Sequence, residues 1–163
     1  TGMPPIMVSY MNMMIEDGKY TTWIALFAIF IILMIDMKRI KYAAGAMIPL
    51  VFGIIWMMGI MHLSGLKLNM MNIMILPLIM GIGIDDGIHV MHRYIIEKDI
   101  MTVFRSTGKA ILLTTLTTML AFGSLYFSTY RGLASLGISL FIGSVCCFLA
   151  TLFIVPLIFN NKK

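Results

Sequence analysis

Five apolar stretches limit what this chain can fold into. They fall at about 20–36, 43–62, 70–92, 110–128 and 133–159, and each is long enough to carry a helix across about 30 Å of hydrocarbon. The 163 residues are 60% hydrophobic and 12% charged, where soluble domains carry about 25% charge. No stretch shows the ten-residue alternation of a membrane β-barrel strand. The expected fold class is therefore all-α, a polytopic membrane bundle of five transmembrane helices formed by residues 20–163.

The pieces between the stretches supply topology. Residues 1–19 lack a basic n-region followed by a small-residue cleavage site, so they are not read as a signal peptide, and the chain reads as cut from something longer. After an extended start at Pro4 and Pro5, residues 6–16 have the spacing of a short interfacial helix ended by Asp17 and Gly18. Tyr20 and Trp23 sit where an aromatic belt belongs. The third stretch is expected to kink at Pro77, and residues 93–109 to form a mixed-charge loop with a short surface helix. Counting alternate loops puts Lys38, Arg39, Lys41, Arg93, Lys98, Arg105, Lys109, Lys162 and Lys163 on one side and Lys19, Lys67 and Arg131 on the other. The positive-inside rule then places the C-terminus in the cytoplasm and residues 1–19 outside.

Several readings fall away. The net charge of +5 lies in short loops and not on one soluble face, so no nucleic-acid partner is expected. Cys146 and Cys147 are neighbours within a helix, which suits neither a disulfide nor zinc. The 18 methionines are spread over most of the chain at positions that Ile also occupies, as gap-fillers are. No cofactor is expected.

Function concentrates at GIGIDDGIHVMHR, residues 81–93. An ionisable group at mid-membrane costs about 3 kcal/mol on insertion scales, so such residues face protein or water and serve a purpose. On a helix, Gly81, Asp85, His89 and His92 share a stripe, and Asp86 lies about 100° away, within reach of His89 at i+3. Adjacent carboxylates in apolar surroundings form one protonatable unit, the requirement for a proton relay. Asp85, Asp86 and His89 are the candidate relay, and Gly81, Gly83 and Gly87 are its motif glycines. The two histidines invite a metal reading, but His92 sits near the boundary where polar residues are ordinary, and no metal site is expected.

Two further helices bear on this site. Thr114, Thr115, Thr117 and Thr118 either bond back to their own helix or reach the carboxylates or water, as relay support. Ser135, Ser139, Gly143 and Cys147 recur every four residues, a small-residue stripe suited to close packing.

With GIGIDDGIHVMHR, the following TGKAILLTTLTTMLAFGSLYFS, then RGLASLGISLFIG and VPLIF, the chain resembles the resistance-nodulation-division (RND) superfamily, in particular its MmpL-like and hopanoid-exporter-like branch. That family has twelve membrane helices in two similar halves, each with a large extracytoplasmic domain. The resemblance implies that this chain is helices eight to twelve, the C-terminal membrane half, and that residues 1–19 end an extracytoplasmic domain; a first-half origin stays open. It implies proton-driven export of hydrophobic or lipid-like molecules, in a bacterial-type cytoplasmic membrane, with no enzymatic reaction. Asp85 takes the aspartate of the Gly-x-x-x-Asp motif that begins at Gly81. The four threonines lie on the helix that supplies a polar partner in the drug-pump branch. Asp86 departs from the pattern, standing where many MmpL-like members have Tyr.

The implied partners are membrane lipids, the lipid-like substrate, the remainder of the transporter and, in a homo-oligomer, further copies. Two alternatives remain: a sterol-sensing-like module that binds lipid and regulates without a proton cycle, and a SecDF-like export component, which the GIDDGIH stretch fits less well.

Overall fold

The computed structural model describes residues 5–66 and 74–159. Among these it holds five long helices: α1 (Pro5–Met37), α2 (Ile40–Leu63), α3 (Ile75–Glu97), α4 (Ile100–Ser124, extended by a 3-10 turn at Leu125–Phe127) and α5 (Arg131–Phe159). All five contain a segment long and apolar enough to cross a membrane. The chain is an all-α, multi-pass membrane bundle, as its apolar stretches require. The expected turn at 63–69 lies partly, and the start of the third stretch at 70–73, the tail lysines and residues 1–4 wholly, outside the described residues.

Among the described residues α5 is the central post, in contact with α2, α3 and α4, while α1 touches only α2 and α3. The close contacts follow from small residues. Ser139, Gly143 and Cys147 are all buried, and a Cβ at Gly143 would stand 2.7 Å from Ile79 Cδ1. One at Gly53 would stand 2.7 Å from Cys147 Sγ. Lipid tails are as apolar as Leu, so in a membrane it is van der Waals contact of this kind that holds helices together. Leu50, Met57, Ile79, Val90, Met91 and Leu140 fill the core.

Three local expectations are corrected. α1 runs through Asp17 and Gly18 without a break. A glycine inside a helix costs only about 1 kcal/mol, and the Thr21 and Thr22 hydroxyls donate to the carbonyls of Asp17 and Gly18, both at 2.7 Å. Pro77 does not interrupt α3, because it falls in the first turn after the N-cap Met74, where its missing N–H would have no partner.

The expected loop at 93–109 is two helix ends with a two-residue joint. Lys98 takes the left-handed conformation at φ 60° and closes α3 by donating its N–H to Tyr94 O at 3.0 Å. Asp99 caps α4, accepting from Thr102 N at 3.0 Å and Thr102 Oγ1 at 2.6 Å, which holds its carboxyl below the usual carboxylate range. Arg93 and Glu97 pair one turn apart at 2.6 Å. Charged residues here extend helices because their long side chains favour helix and pair at i, i+4.

The basic end of the bundle is tied by aromatic rings. Tyr94 on α3 lies edge-on to Phe159 on α5 at 4.9 Å and to Tyr42 on α2 at 6.4 Å. Lys41 stands over Phe159 and Lys98 over Tyr42, each 5.9 Å from the ring centre.

Candidate functional site

The two aspartates separate as helical spacing demands. Asp86 is 8% exposed and turned into the bundle, whereas Asp85 lies on the outer face with Gly81, His89 and His92. The glycines behind Asp86 let α3 press inward. A Cβ at Gly87 would run into the Ala46 carbonyl on α2, and one at Gly83 would stand 2.6 Å from Cys147 Sγ and 3.1 Å from Leu50 Cδ1. Gly81 meets nothing within 4 Å, so its place in the motif has no packing reason within this segment.

Of the four threonines, Thr115 alone reaches a carboxylate. Its Oγ1 lies 3.4 and 3.3 Å from the Asp86 carboxyl oxygens and 2.8 Å from Ile111 O. Thr114, Thr117 and Thr118 bond back to their own helix. Asp85, Asp86, Thr114, Thr115 and Thr118 nevertheless line one cavity of about 50 Å³, joined there by Ser144 and Cys147 of α5. A single water needs about 10–15 Å³, so the space can be wet. Exposed Asp85 and Thr114 form its outer wall, and the buried residues its inner one.

The geometry makes the hydrogen bonding depend on the protonation of Asp86. A threonine hydroxyl carries one proton, and Thr115 has two acceptors for it. When Asp86 is protonated, its carboxyl donates to Thr115 Oγ1 and Thr115 keeps its own proton on Ile111. When Asp86 is ionised it can only accept, and the Thr115 proton can turn from Ile111 O to the carboxylate.

His89 sits on the exposed stripe, one turn from Asp85, and is not among the residues that line the cavity. His92 is engaged elsewhere: its Nε2 lies 2.5 Å from Asp36 Oδ2, tying the end of α1 to α3. That pairing was not legible in the sequence, where Asp36 is an acidic residue at a membrane boundary beside Lys38 and Arg39. Ser144 was missed as well, since one serine beside a small-residue stripe carries no distinguishing signal. Among the described residues no group of three or more metal-ligating side chains occurs.

The model of the SecD/SecF protein-export membrane protein C-terminal family matches residues 6–162 of the chain. The chain belongs to that family. This SecD/SecF membership covers nearly the whole length. A membrane protein of Methanocaldococcus jannaschii is 34% identical over 96% of the chain. The hopanoid transporter HpnN of Rhodopseudomonas palustris is 35% identical over 69% of it, and that of Burkholderia multivorans 24% over 93%. The chain spans 42%, 13% and 17% of these relatives' own lengths. No solved structure matches it. The SecD/SecF match and the hopanoid transporters together bear out the resemblance to an RND-type C-terminal membrane half.

Proposed function

We propose that the chain is the proton-translocating membrane segment of an RND-type transporter that exports hydrophobic or lipid-like molecules. The observation that carries the reading is Asp86: a carboxyl buried in a membrane span, with a hydroxyl on the neighbouring helix and a cavity that admits water. Ionisable groups in such places line ion pathways and relays. Asp86 is the inner site and Asp85 the outer site of one protonatable pair, with Thr115 as the switching partner. The names of the hopanoid transporters support a lipid-like substrate. The outward polar stripe of Gly81, Asp85 and His89 lies within an apolar span, which calls for cover by the remainder of the transporter or a second copy. The protein then belongs in a cytoplasmic membrane with its C-terminus on the cytoplasmic side, in agreement with the distribution of Lys and Arg, and it moves its substrate without a chemical reaction on it.

The test is substrate export driven by a pH gradient, with the complete protein reconstituted in vesicles. Asp85→Asn and Asp86→Asn should each abolish gradient-driven export while leaving the protein folded. Export unchanged in both variants would remove the relay.

A second reading, lipid binding without a proton cycle, draws on an apolar groove of about 490 Å³ between α1 and α2, lined by residues such as Trp23, Phe27, Phe30 and Phe52. This volume is that of a small-molecule site. Lipid binding that persists in the double Asn variant, with no gradient dependence of any activity, would favour it.

A further inference from the structure

Four buried hydroxyls occur among the described residues: Thr115, Ser139, Ser144 and Thr151. Three bond back to their own helix four residues earlier, Thr115 to Ile111 O, Ser139 to Ser135 O and Thr151 to Cys147 O. Ser144 has the same option at Leu140 and does not take it. It is 3% exposed, and its Oγ has no hydrogen-bond partner. A buried polar group left unpaired is penalised by its lost hydration, so an unspent donor in a membrane core needs a reason.

The same cavity contains an unmet demand. An ionised carboxylate offers about four lone-pair sites and no donor. Among the described residues Asp86 receives only the Thr115 hydroxyl, at the long distances of 3.3 and 3.4 Å, and shares it with Ile111 O. Ser144 lines the cavity that Asp86 lines, on the third of the three helices around it. Rotation about one side-chain bond moves a serine hydroxyl between staggered positions, and the cavity has room for a bridging water.

We propose that Ser144 is a positioning residue for Asp86, donating its hydroxyl across the cavity, directly or through one water, when the carboxylate is ionised. α5 then senses the charge on α3 as α4 does through Thr115. The ionised state draws hydroxyls from both flanking helices, and the protonated state releases the Ser144 hydroxyl and lets Thr115 return to Ile111.

This inference rests on the relay reading, and infrared difference spectroscopy of the complete protein in lipid separates the two. The carboxyl bands that appear and vanish with pH in the parent and are missing in Asp86→Asn belong to Asp86. If no such bands exist, the relay reading fails. If they exist, Ser144→Ala should move the antisymmetric carboxylate stretch to higher wavenumber, as loss of a donor does, and Ser144→Thr should restore it. The pH profile of export should change in Ser144→Ala and recover in Ser144→Thr. Asp86 bands and a pH profile identical in Ser144→Ala and the parent would overturn the proposal with the relay intact. Should Ser144→Ala fail to fold, Ser144→Cys, close in size and a weaker donor, takes its place with the same two readouts.

Discussion

Where α3 meets α2 and α5, glycines let the helices close to backbone or short side-chain contact; where α1 meets α2, bulky side chains hold the helices apart. The first contact runs through Gly83, Gly87 and Gly143, each with a neighbouring helix where its Cβ would be. The second leaves the groove beneath Trp23, Phe27 and Phe30, and most of the large side chains of α1 face outward. The difference tracks what each side holds. A buried carboxyl must be kept in fixed register with its few partners, because leaving it unserved costs far more than a misplaced methyl group. A lipid-facing helix has no such constraint, since lipid chains fill whatever gap it leaves.

That contrast can be broken most directly at the glycines. Gly87→Ala forces a methyl group into the Ala46 carbonyl, and overpacking of this kind costs about 1–3 kcal/mol. Gly81→Ala, with open space around it, should stabilise by up to about 1 kcal/mol because alanine is the better helix former, and Ile24→Ala on the outer face of α1 should stay within about 0.5 kcal/mol of the parent. Unfolding measured in detergent or by steric trapping gives the comparison. Equal stability of Gly87→Ala and Gly81→Ala would mean that α3 and α2 can part without loss.

A smaller effect should come from the tie between the two regions. Asp36 and His92 are about half exposed, and exposed pairs of this kind contribute about 0.2–1 kcal/mol. A double-mutant cycle with Asp36→Ala and His92→Ala should return a coupling in that range. A coupling of zero would leave α1 held only by its buried residues, such as Leu33 and Met37.

The smallest effect is at the joint between α3 and α4. The Asp99 carboxyl is held below the usual range by the Thr102 hydroxyl and N–H, so its folded form favours the ionised state. The stabilisation is fully present above the ordinary carboxylate range and is lost as pH falls through the lowered folded value. Asp99→Asn, compared with the parent over pH 2 to 6, should flatten that part of the acid stability profile. A profile of unchanged shape would remove the cap as its source.

Much of the architecture was legible because the membrane leaves few choices. Apolar length alone located five helices, and the four-residue recurrence of Ser139, Gly143 and Cys147 identified the packing face of α5. Helix ends were less legible. Asp17 and Gly18 resemble a stop signal, but an apolar continuation on both sides outweighs a cost of about 1 kcal/mol, and the charges at 93–109 resemble a loop when they extend two helices. At the site, periodicity separated Asp85 from Asp86 but could not say which faced inward. That depends on Gly83 and Gly87 meeting α5 and α2, a long-range contact with no local signature. Which of the four threonines meets Asp86, and that Ser144 lines the same cavity, depend on the same kind of long-range packing.

The two-residue joint at Lys98 and Asp99 leaves α3 and α4 almost no slack. Two extended residues reach about 7 Å, and slipping one helix along the other by a turn would use about 5.4 Å of it, at the expense of both the left-handed Lys98 and the Asp99 cap. Longitudinal sliding is therefore closed to this hairpin. What such a joint leaves open is rocking about its basic end, the motion that changes the separation of Thr115 and Asp86 while the Lys98 and Asp99 geometry is kept.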